Sequence, residues 1–430
     1  MRGGVSMPKY KPAFSIAFSL IFVLSSHLLV SSAERIVIRA DRMLDVVSGE
    51  IIKDAYIVVE GQKIIEVGDS SLPKGAEVVD LGDMTLLPGL IDMHVHLGYD
   101  IDPGFVYRAI KETVADDAFR ATRNARRTLM AGFTTVREAG SRDFMDVSLM
   151  RAVESGIVEG PWIFPCGHGI GITGGHSDEI GYQPGILESE PEFGIADGPE
   201  ECLRAVRYQI KHGAKVIKIM ATAGVLSFEE SVGAQQYSYE EMRIMVEEAA
   251  RHGLKVFAHA HGTEGIIAAV KAGVASIEHG SMVNDEAIRL MKERGTYLVP
   301  TSYLRDSINL EALPPKLRAK AESILPIARN NLRNAIASQV NIAFGTDAAV
   351  FPHGDNAKEF AVYVKLGMSP IEAIRTATVK AVDLLGVEDR GIIAKGLLAD
   401  LIAVKGNPLE DITVLEDVQF VMQGGRIVKK

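Results

Sequence analysis

Hydrophobic and polar positions alternate along the first part of the chain in the manner of short β-strands. In residues 35–87, segments such as RIVIRADRML and AYIVVEGQKIIEVG alternate apolar and polar residues between Gly and Asp. Residues 391–430 show the same pattern in ADLIAVKGNP and VQFVMQGGRIVKK. Because the two ends of a domain commonly lie close together, residues 34–87 and 391–430 are predicted to form one small β-sandwich domain.

Between these ends, short apolar segments alternate with longer helical patterns. The first apolar segment ends at His94, and glycine follows many of the predicted helices, where it caps the last turn. The other predicted strands are FTTVRE (133–138), WIFPCG (162–167), KVIKIM (215–220), KVFAHA (255–260), ASIEHG (275–280), TYLVP (296–300) and NIAFGTD (341–347). The predicted helices cover residues 104–131, 143–154, 199–212, 239–252, 263–272, 284–293, 314–338 and 369–385.

This alternation predicts the fold class of the central region. Eight strand–helix repeats within one chain indicate an α/β fold, a (β/α)₈ TIM barrel over residues 88–390. A doubly wound open sheet is the competing architecture. No Gly-rich dinucleotide fingerprint follows the first strand, and this favours the closed barrel.

The first residues have the pattern of a secretory signal. Arg2, Lys9 and Lys11 precede an apolar stretch over residues 13–30, and small residues precede a cleavage point after Ala33. An anchoring transmembrane helix is the alternative, but this stretch is short and broken by serines. We therefore expect a signal peptide at residues 1–33, and a secreted or periplasmic mature chain with no stable membrane span.

Composition limits the classes of partner. The 430 residues carry a net charge of −10 without a basic patch, which argues against nucleic acid and anionic membranes as partners. Hydrophobic residues make up 47% of the chain, enough for a large core. Cys166 and Cys202 are the only cysteines, so no disulfide framework is expected to hold the fold.

Polar side chains gather at the predicted C-terminal ends of the barrel strands, where such barrels carry their active sites. In each of two histidine pairs, a single residue separates the two histidines, and residues at this spacing project from the same face of a strand. Imidazoles aimed at one point are a metal-ligand arrangement, whereas a set of hydrogen-bonded core histidines is the alternative. The residues at these ends are His94, His96, His259, His261, His279 and Asp347.

Lys218 is also predicted to lie among these residues. A positively charged ammonium group would be unfavourable beside metal ions, so its presence there needs an explanation. A buried salt bridge with an acidic segment is one explanation for a lysine there. The other is chemical, because desolvation lowers the pKa of a lysine and leaves a neutral amine. That amine can take up carbon dioxide and become an anionic carbamate, whose two oxygens can bridge two divalent ions.

Five motifs resemble the metal-site motifs of the amidohydrolase superfamily, in order and at fitting intervals. They are PGLIDMHVHLG, GAKVIKIMATAGV, KVFAHAHG, SIEHG and FGTDA. GITGGH (171–176) and EDRGIIAKGLLADLIAVKGNPLEDI add to the resemblance, which covers essentially the whole mature chain. The chain is most similar to the branch of Xaa-Pro dipeptidases (prolidases) and carboxypeptidases that is related to imidazolonepropionases.

The resemblance implies a binuclear zinc site. By analogy, His94, His96 and Asp347 hold one Zn²⁺, His259 and His279 hold the other, and an N6-carboxylysine at Lys218 bridges the two ions. Substrate contacts are implied for His261 and for His176, which lies in the loop after the third strand. Tyr303, after the seventh strand, is a further candidate for substrate binding.

The implied reaction is hydrolysis of an amide bond in a small peptide or N-acyl amino acid, most simply an Xaa-Pro or Xaa-Arg/Lys dipeptide. Two ions would activate the attacking water, and Asp347 would take its proton and pass it to the leaving amine. Three alternatives remain. The first is an amide hydrolase of the same superfamily that acts on another substrate, such as a cyclic amide or an imidazolone. The second is a one-metal deaminase, and the third is a secreted binding protein with a vestigial site. Relatives often assemble, which implies a homo-oligomer.

Overall fold

The computed structural model describes residues 35–69, 77–102, 104–229 and 231–430. The predicted signal peptide therefore lies outside the described residues. Within the described part of the chain, no helix combines the length and the apolar character needed to cross a membrane. Cys166 and Cys202 are both buried free thiols, in agreement with the expected lack of a disulfide framework.

One eight-stranded sheet contains strands from both ends of the chain. Its order is β15-β14-β13-β5-β1-β2-β3, with β4 paired to β1. Apolar residues at alternate positions build one of its faces, where Ile38 stands opposite Ile57 and packs in the same cluster as Leu401. The two chain ends thus meet in a single sheet, and the predicted sandwich is not confirmed. Its strands are β1 (Arg35–Leu44), β2 (Ile51–Glu60), β3 (Lys63–Asp69), β4 (Glu77–Asp80), β5 (Met84–Pro88), β13 (Leu401–Lys405), β14 (Phe420–Gln423) and β15 (Arg426–Lys429).

The central region has parallel strands between helices, as predicted. These strands form two arcs, one with the order β6-β7-β8 and the other with the order β12-β11-β10-β9. All neighbours within each arc pair in parallel. The arcs consist of β6 (Leu90–Val95), β7 (Phe133–Glu138), β8 (Trp162–Phe164), β9 (Ile217–Met220), β10 (Val256–Ala260), β11 (Ser276–His279) and β12 (Tyr297–Val299).

The predicted eighth strand, residues 341–347, is not a regular strand. Isolated parallel bridges connect Ile342 to Leu298 and Ala348 to Val95, so the segment runs between β12 and β6 without a ladder. A further single bridge lies at the seam between β8 and β9, so the regular ladders do not close into a continuous ring. The backbone bonds of this segment to β6 are irregular: the Thr346 N–H is shared between the His94 carbonyl at 3.3 Å and the Asp92 carboxylate at 3.2 Å, and Asp347 has a left-handed φ of 61°.

Helices surround the parallel strands, and most follow the predicted ranges. The predicted helix over 104–131 is divided, because the backbone N–H of Thr113 donates to the Asp116 carboxylate at 2.8 Å and starts a new helix. The helix over 369–385 is likewise divided, and α10 was not predicted. The helices are α1 (Arg108–Lys111), α2 (Val114–Met130), α3 (Met145–Glu154), α4 (Gly198–His212), α5 (Tyr239–Arg251), α6 (Thr263–Ala272), α7 (Asp285–Arg294), α8 (Leu304–Ser307), α9 (Pro315–Ala337), α10 (Lys358–Lys365), α11 (Pro370–Thr376) and α12 (Val379–Leu385).

Aromatic packing supports the segment that replaces the eighth strand. The Phe344 ring lies 5.3 Å from the ring of Phe133 on β7 and 4.4 Å from that of Phe360 on α10. All three side chains are fully buried. Since burying one such side chain contributes about 1.5–3 kcal/mol, this packing holds the chain firmly three residues before Asp347.

Candidate metal centre

Histidine rings from three strand ends meet in one cluster. His94 on β6 lies 5.4 Å from His96 and 5.0 Å from His279, measured between ring centroids. His259 on β10 lies 4.7 Å from His279 and 4.6 Å from His261. The fold therefore brings these five histidines together, as their positions in the sequence predict.

Candidate ligand atoms in the cluster form two groups that share His279. One group is His259, His261 and His279, and the other is His94, His279 and Asp347, with ligand atoms within 4.8 Å of one another in each. His96 reaches the second group, since its Nε2 lies 3.4 Å from Asp347 Oδ1. This grouping differs from the implied division of ligands between two ions, because His261 stands with His259 and His279.

Lys218 on β9 lines the same cavity as these histidines and is almost fully buried. Its Nζ lies 5.0 Å from the centre of the Phe257 ring. Burial lowers the pKa of Lys218 to about 8, although the Glu278 carboxylate opposes the shift. A lysine in such a site is readily brought to its neutral form, in keeping with the chemical explanation of its position.

The donor set fits a zinc-type ion. Nε2 of His259 is buried and has no hydrogen-bond partner among the described residues, and buried polar atoms rarely lack one. Burial holds the pKa values of His94, His259 and His279 well below their usual range, which keeps these rings neutral. Neutral imidazole together with carboxylate is the ligand chemistry that zinc accepts.

A hydrogen bond to Nδ1 fixes the orientation of most rings in the cluster. His94 Nδ1 lies 2.7 Å from Glu278 Oε2, and His279 Nδ1 lies 2.8 Å from the Thr301 hydroxyl. His261 Nδ1 is 2.7 Å from the Ser281 hydroxyl. Bonds of this kind orient metal-binding imidazoles and leave the other ring nitrogen free for an ion.

Buried charges support Glu278 in turn. The guanidinium of Arg137 donates to Glu278 Oε1 at 2.8 Å, and the Ser276 hydroxyl donates to the same oxygen at 2.5 Å. Arg137 also lies over the Phe257 ring at 3.9 Å and donates to the carbonyl of Met93 at 2.7 Å. A continuous buried network therefore runs from β7 through Glu278 to the His94 ring.

Asp92 holds the segment that carries Asp347. Its Oδ1 accepts the backbone N–H groups of His94 and Thr346 at 3.1 and 3.2 Å. Its Oδ2 accepts the Thr346 hydroxyl at 2.6 Å and the Asn356 amide at 2.8 Å. Burial raises the pKa of Asp347 to about 7, against the influence of the Lys218 charge.

His176 and Tyr303, two of the three residues predicted to contact substrate, lie in different surroundings. The His176 ring stacks on His259 at 4.0 Å, and its Nδ1 lies 2.5 Å from the Ser227 hydroxyl. His176 thus stands beside the cluster. Tyr303 packs its ring on Phe351 at 5.1 Å and is not among the described residues that line the cavity.

Sequence reasoning did not assign roles to Arg137, Asp92 or Glu278. Arg137 lies within a segment that was read only as a strand, whereas Asp92 lies within the PGLIDMHVHLG motif and Glu278 within the SIEHG motif beside His279. Strand alternation would turn adjacent residues to opposite faces, but His279 has a left-handed φ of 67° that breaks the alternation. A charged residue inside each buried strand was the available signal.

The cavity above the cluster has a volume of about 600 Å³. Its floor carries the histidines, Lys218 and Asp347, and much of its wall is apolar. Cavities of this size bind small organic molecules rather than macromolecules. The site therefore combines neutral imidazoles, a carboxylate and a buried lysine at the base of a small-molecule cavity.

Comparison with known proteins agrees with this geometry. An ochratoxinase from Aspergillus niger is 35% identical over 410 residues, covering 89% of this chain and 84% of the ochratoxinase. A crystal structure of a Xaa-Pro dipeptidase with methionine bound in its active site has a TM-score of 0.88 at 40% identity, covering 92% of this chain and 100% of that one. A prolidase crystallised with N-methylphosphonate-L-proline has a TM-score of 0.85 at 34% identity, with coverages of 92% and 100%.

The family model agrees with the resemblance read from the motifs. Residues 85–428 match the Amidohydrolase family, and this range contains all the strand ends that form the cluster. The two arcs of parallel strands lie within this matched range. The chain belongs to the amidohydrolase family.

Proposed function

We propose that this protein is a binuclear metal-dependent hydrolase that cleaves the amide bond of small peptides or N-acyl amino acids, with a dipeptidase-like activity. The observation that carries the proposal is the buried cluster of neutral histidines around Asp347, in which His259 Nε2 has no hydrogen-bond partner within the described part of the chain. The similarity to a Xaa-Pro dipeptidase and to an ochratoxinase supports this class of reaction.

The proposed ligands of two zinc ions are those implied by the motifs. Bound zinc supplies a nucleophile from water at neutral pH and polarises the carbonyl of the scissile amide. The residues of the chain supply orientation, since Glu278, Thr301 and Ser281 fix the rings through Nδ1. The proposed ligands are His94, His96, Lys218, His259, His279 and Asp347, with His261 beside them.

Lys218 enters the proposal as a carboxylated residue. In the neutral form, its Nζ attacks the carbon of carbon dioxide, an N–C bond forms, and one proton leaves to solvent. The product is a carbamate with one negative charge, which suits the neighbourhood of two cations better than an ammonium does. Burial of Lys218 supports this step because it lowers the pKa of the amine to about 8.

Asp347 is the proposed proton carrier. Its Oδ1 lies 3.6 Å from His94 Nε2 and 3.4 Å from His96 Nε2, so it lies beside two of the proposed ligands and within reach of a water that bound zinc would activate. An amine anion is a very poor leaving group, and a carboxylate that returns a proton to the nitrogen solves this problem. His176 and His261 are proposed to contact the substrate, and Tyr303 remains a prediction.

Lys218 also favours the proposed reaction over a one-metal alternative. A one-metal deaminase or imidazolone hydrolase has no need of a bridging side chain, and a buried cation near a single zinc ion would be repelled. A binding protein with a vestigial site would have lost some of the donors, whereas all six proposed ligands line the cavity. Secretion after cleavage near Ala33 and homo-oligomer formation remain proposals.

A dipeptide panel tests the proposal. The purified mature chain is loaded with zinc and assayed against dipeptides that differ at the C-terminal residue, including proline, arginine, lysine and phenylalanine. We expect hydrolysis of at least one member, loss of this activity after chelation, and its return with added zinc. A zinc-loaded, folded protein that cleaves no peptide or N-acyl amino acid would contradict the proposal.

A further inference from the structure

One long helix turns an apolar face toward the cavity that contains the histidine cluster. On α9, every third or fourth residue between 321 and 332 lines this cavity, and the spacing places these residues on one side of the helix. Glu322 and Ile327 point outward and are exposed. We name as the α9 stripe the residues Ala321, Ile324, Leu325, Ala328 and Leu332.

Polar contacts fix α9 at both ends of the stripe. Lys320 Nζ donates to the carbonyl of Ser227 at 2.7 Å, and the Asn331 amide donates to the carbonyl of Ser281 at 2.8 Å. The hydroxyl groups of these two serines contact His176 and His261. Since a helix rises 1.5 Å per residue, the anchors lie roughly 16 Å apart. The stripe therefore extends along one wall whose two ends are tied to the histidine cluster.

Further apolar residues enclose the space beside the stripe. Val225, Leu226 and Ile308 line the cavity, and they pack in the same hydrophobic cluster as Ala321 and Leu325. The two alanines of the stripe have short side chains, which leave room between the helix and the loops. Apolar surface in contact with water is unfavourable, so a ligand that covers this wall gains affinity from it.

Arg329, the charged residue on this face of α9, already forms hydrogen bonds within the protein. Arg329 is buried, and its guanidinium donates to the carbonyl of Ser302 at 3.2 Å and to the Asp306 carboxylate at 2.7 Å. These contacts hold the loop after β12. The stripe itself thus offers a ligand methyl and methylene groups, whereas the polar groups of the cavity lie at the histidine cluster and at other lining positions, including Arg142, Glu179 and Glu188.

We propose that the preferred substrates are amides that carry a bulky apolar group, aliphatic or aromatic, which lies along the α9 stripe while the scissile bond lies at the histidine cluster. This inference rests on the proposed function, since it names the substrate class of the same site. Substrate selection by apolar bulk at this wall follows from the composition of the α9 stripe.

Two series of dipeptides test the inference on the zinc-loaded mature chain. In one series, X-Pro carries Gly, Leu, Phe or Trp as X, and in the other, Gly-X carries Ala, Leu, Phe or Trp. We expect kcat/KM to rise tenfold or more from the smallest to the bulkiest residue in at least one series, since one methylene in an apolar pocket changes it by about 10–200-fold. Flat or falling values in both series would overturn the inference.

Variants of α9 locate the effect. Ala328→Phe places a bulky ring in the space beside the stripe. We therefore expect the ratio of kcat/KM for the bulkiest to the smallest substrate to fall at least tenfold. Leu325→Gln, which makes the stripe polar without added bulk, is expected to lower the same ratio. Ile327→Phe is the matched control, because Ile327 is 45% exposed on the outward side, and it should leave the ratio as in the parent protein.

The outcomes separate this inference from the proposed function. If Ile327→Phe and Ala328→Phe change the ratio equally, the stripe does not select the substrate and the inference is wrong, while amide hydrolysis stands. If no dipeptide of either series is cleaved by the folded, zinc-loaded protein, the proposed dipeptidase activity fails and the inference fails with it. Zinc content measured for each variant excludes loss of metal as the cause.

Discussion

The Nδ1 atom of His94 lies 2.7 Å from Oε2 of Glu278, and both side chains are almost completely buried. The opposite oxygen of this carboxylate accepts from Arg137, whose charge compensates that of Glu278. Because Glu278 accepts a hydrogen bond, Nδ1 of His94 carries the proton and Nε2 is free on the side of Asp347. The buried ion pair thereby determines which nitrogen of His94 can bind an ion.

The first prediction concerns this pair. Glu278→Gln keeps the shape of the side chain but removes the charge that orients the His94 ring. We expect zinc affinity to fall about 10–100-fold, the usual effect of losing a hydrogen-bond partner behind a metal-binding histidine. Competition with a chromophoric chelator measures the affinity. Glu293→Gln, in an exposed ion pair with Arg289, is the control, and equal affinities for the two variants would contradict the assigned role.

The second prediction separates proton transfer from metal binding. Asp347→Asn retains an oxygen that can bind an ion but can no longer accept a proton. We expect most of the zinc to stay bound and kcat to fall about 10²–10⁴-fold. Metal analysis and steady-state kinetics on the same sample test this. Asp355→Asn, on the surface beside Lys358, should keep full activity. A near-normal rate for Asp347→Asn would remove Asp347 from the reaction.

The third prediction concerns Lys218. Lys218→Ala removes the proposed bridge, and we expect the protein to lose binuclear occupancy and activity. Added short carboxylic acids such as acetate should restore both in part, because a carboxylate can stand in for the carbamate oxygens. The exposed Lys271 provides a control variant, Lys271→Ala. Two ions per chain in Lys218→Ala without added acid would show that the lysine does not bridge them.

The fourth prediction concerns stability without metal. Asp92→Ala leaves the backbone N–H groups of His94 and Thr346 and the amide of Asn356 without their acceptor. We expect the free energy of unfolding of the metal-free chain to fall by about 3 kcal/mol or more, since hydrogen bonds to a buried charge contribute about 1.5–3 kcal/mol each.

Urea denaturation measures this loss. The control is Asp83→Ala, which breaks a largely exposed ion pair with Arg42 and should cost less than about 1 kcal/mol. If the two variants lose the same stability, the Asp92 network does not hold the segment that carries Asp347.

Local patterns predicted much of the framework. The strand over 133–138 and the helix over 263–272 agree with β7 and α6 in full, because alternation and capping glycines act over a few residues. The helix predicted over 239–252 agrees closely with α5, which Ser238 caps with its hydroxyl accepting from the backbone N–H of Glu241 at 3.3 Å. The histidine cluster followed from the rule that parallel strands end at one face of a barrel.

Other features depend on contacts between distant residues. The guanidinium of Arg137 meets a carboxylate 141 positions later in the chain, and no local pattern indicates that pairing. The eighth strand was predicted from its apolar residues, but isolated bridges connect this segment to its neighbours, and its Thr346 N–H is shared with Asp92, 254 positions away. The sandwich was not confirmed because alternation alone does not say whether strands join one sheet or two.

The central claim is that six side chains hold two cations linked by a carboxylated lysine. Anomalous diffraction from crystals of the zinc-loaded mature chain, grown in the presence of bicarbonate, tests it most directly. We predict two zinc peaks within the histidine cluster, with density for a carbamate on Lys218 between them. A single peak, or two peaks with an unmodified Lys218 Nζ directed away from them, would contradict the account.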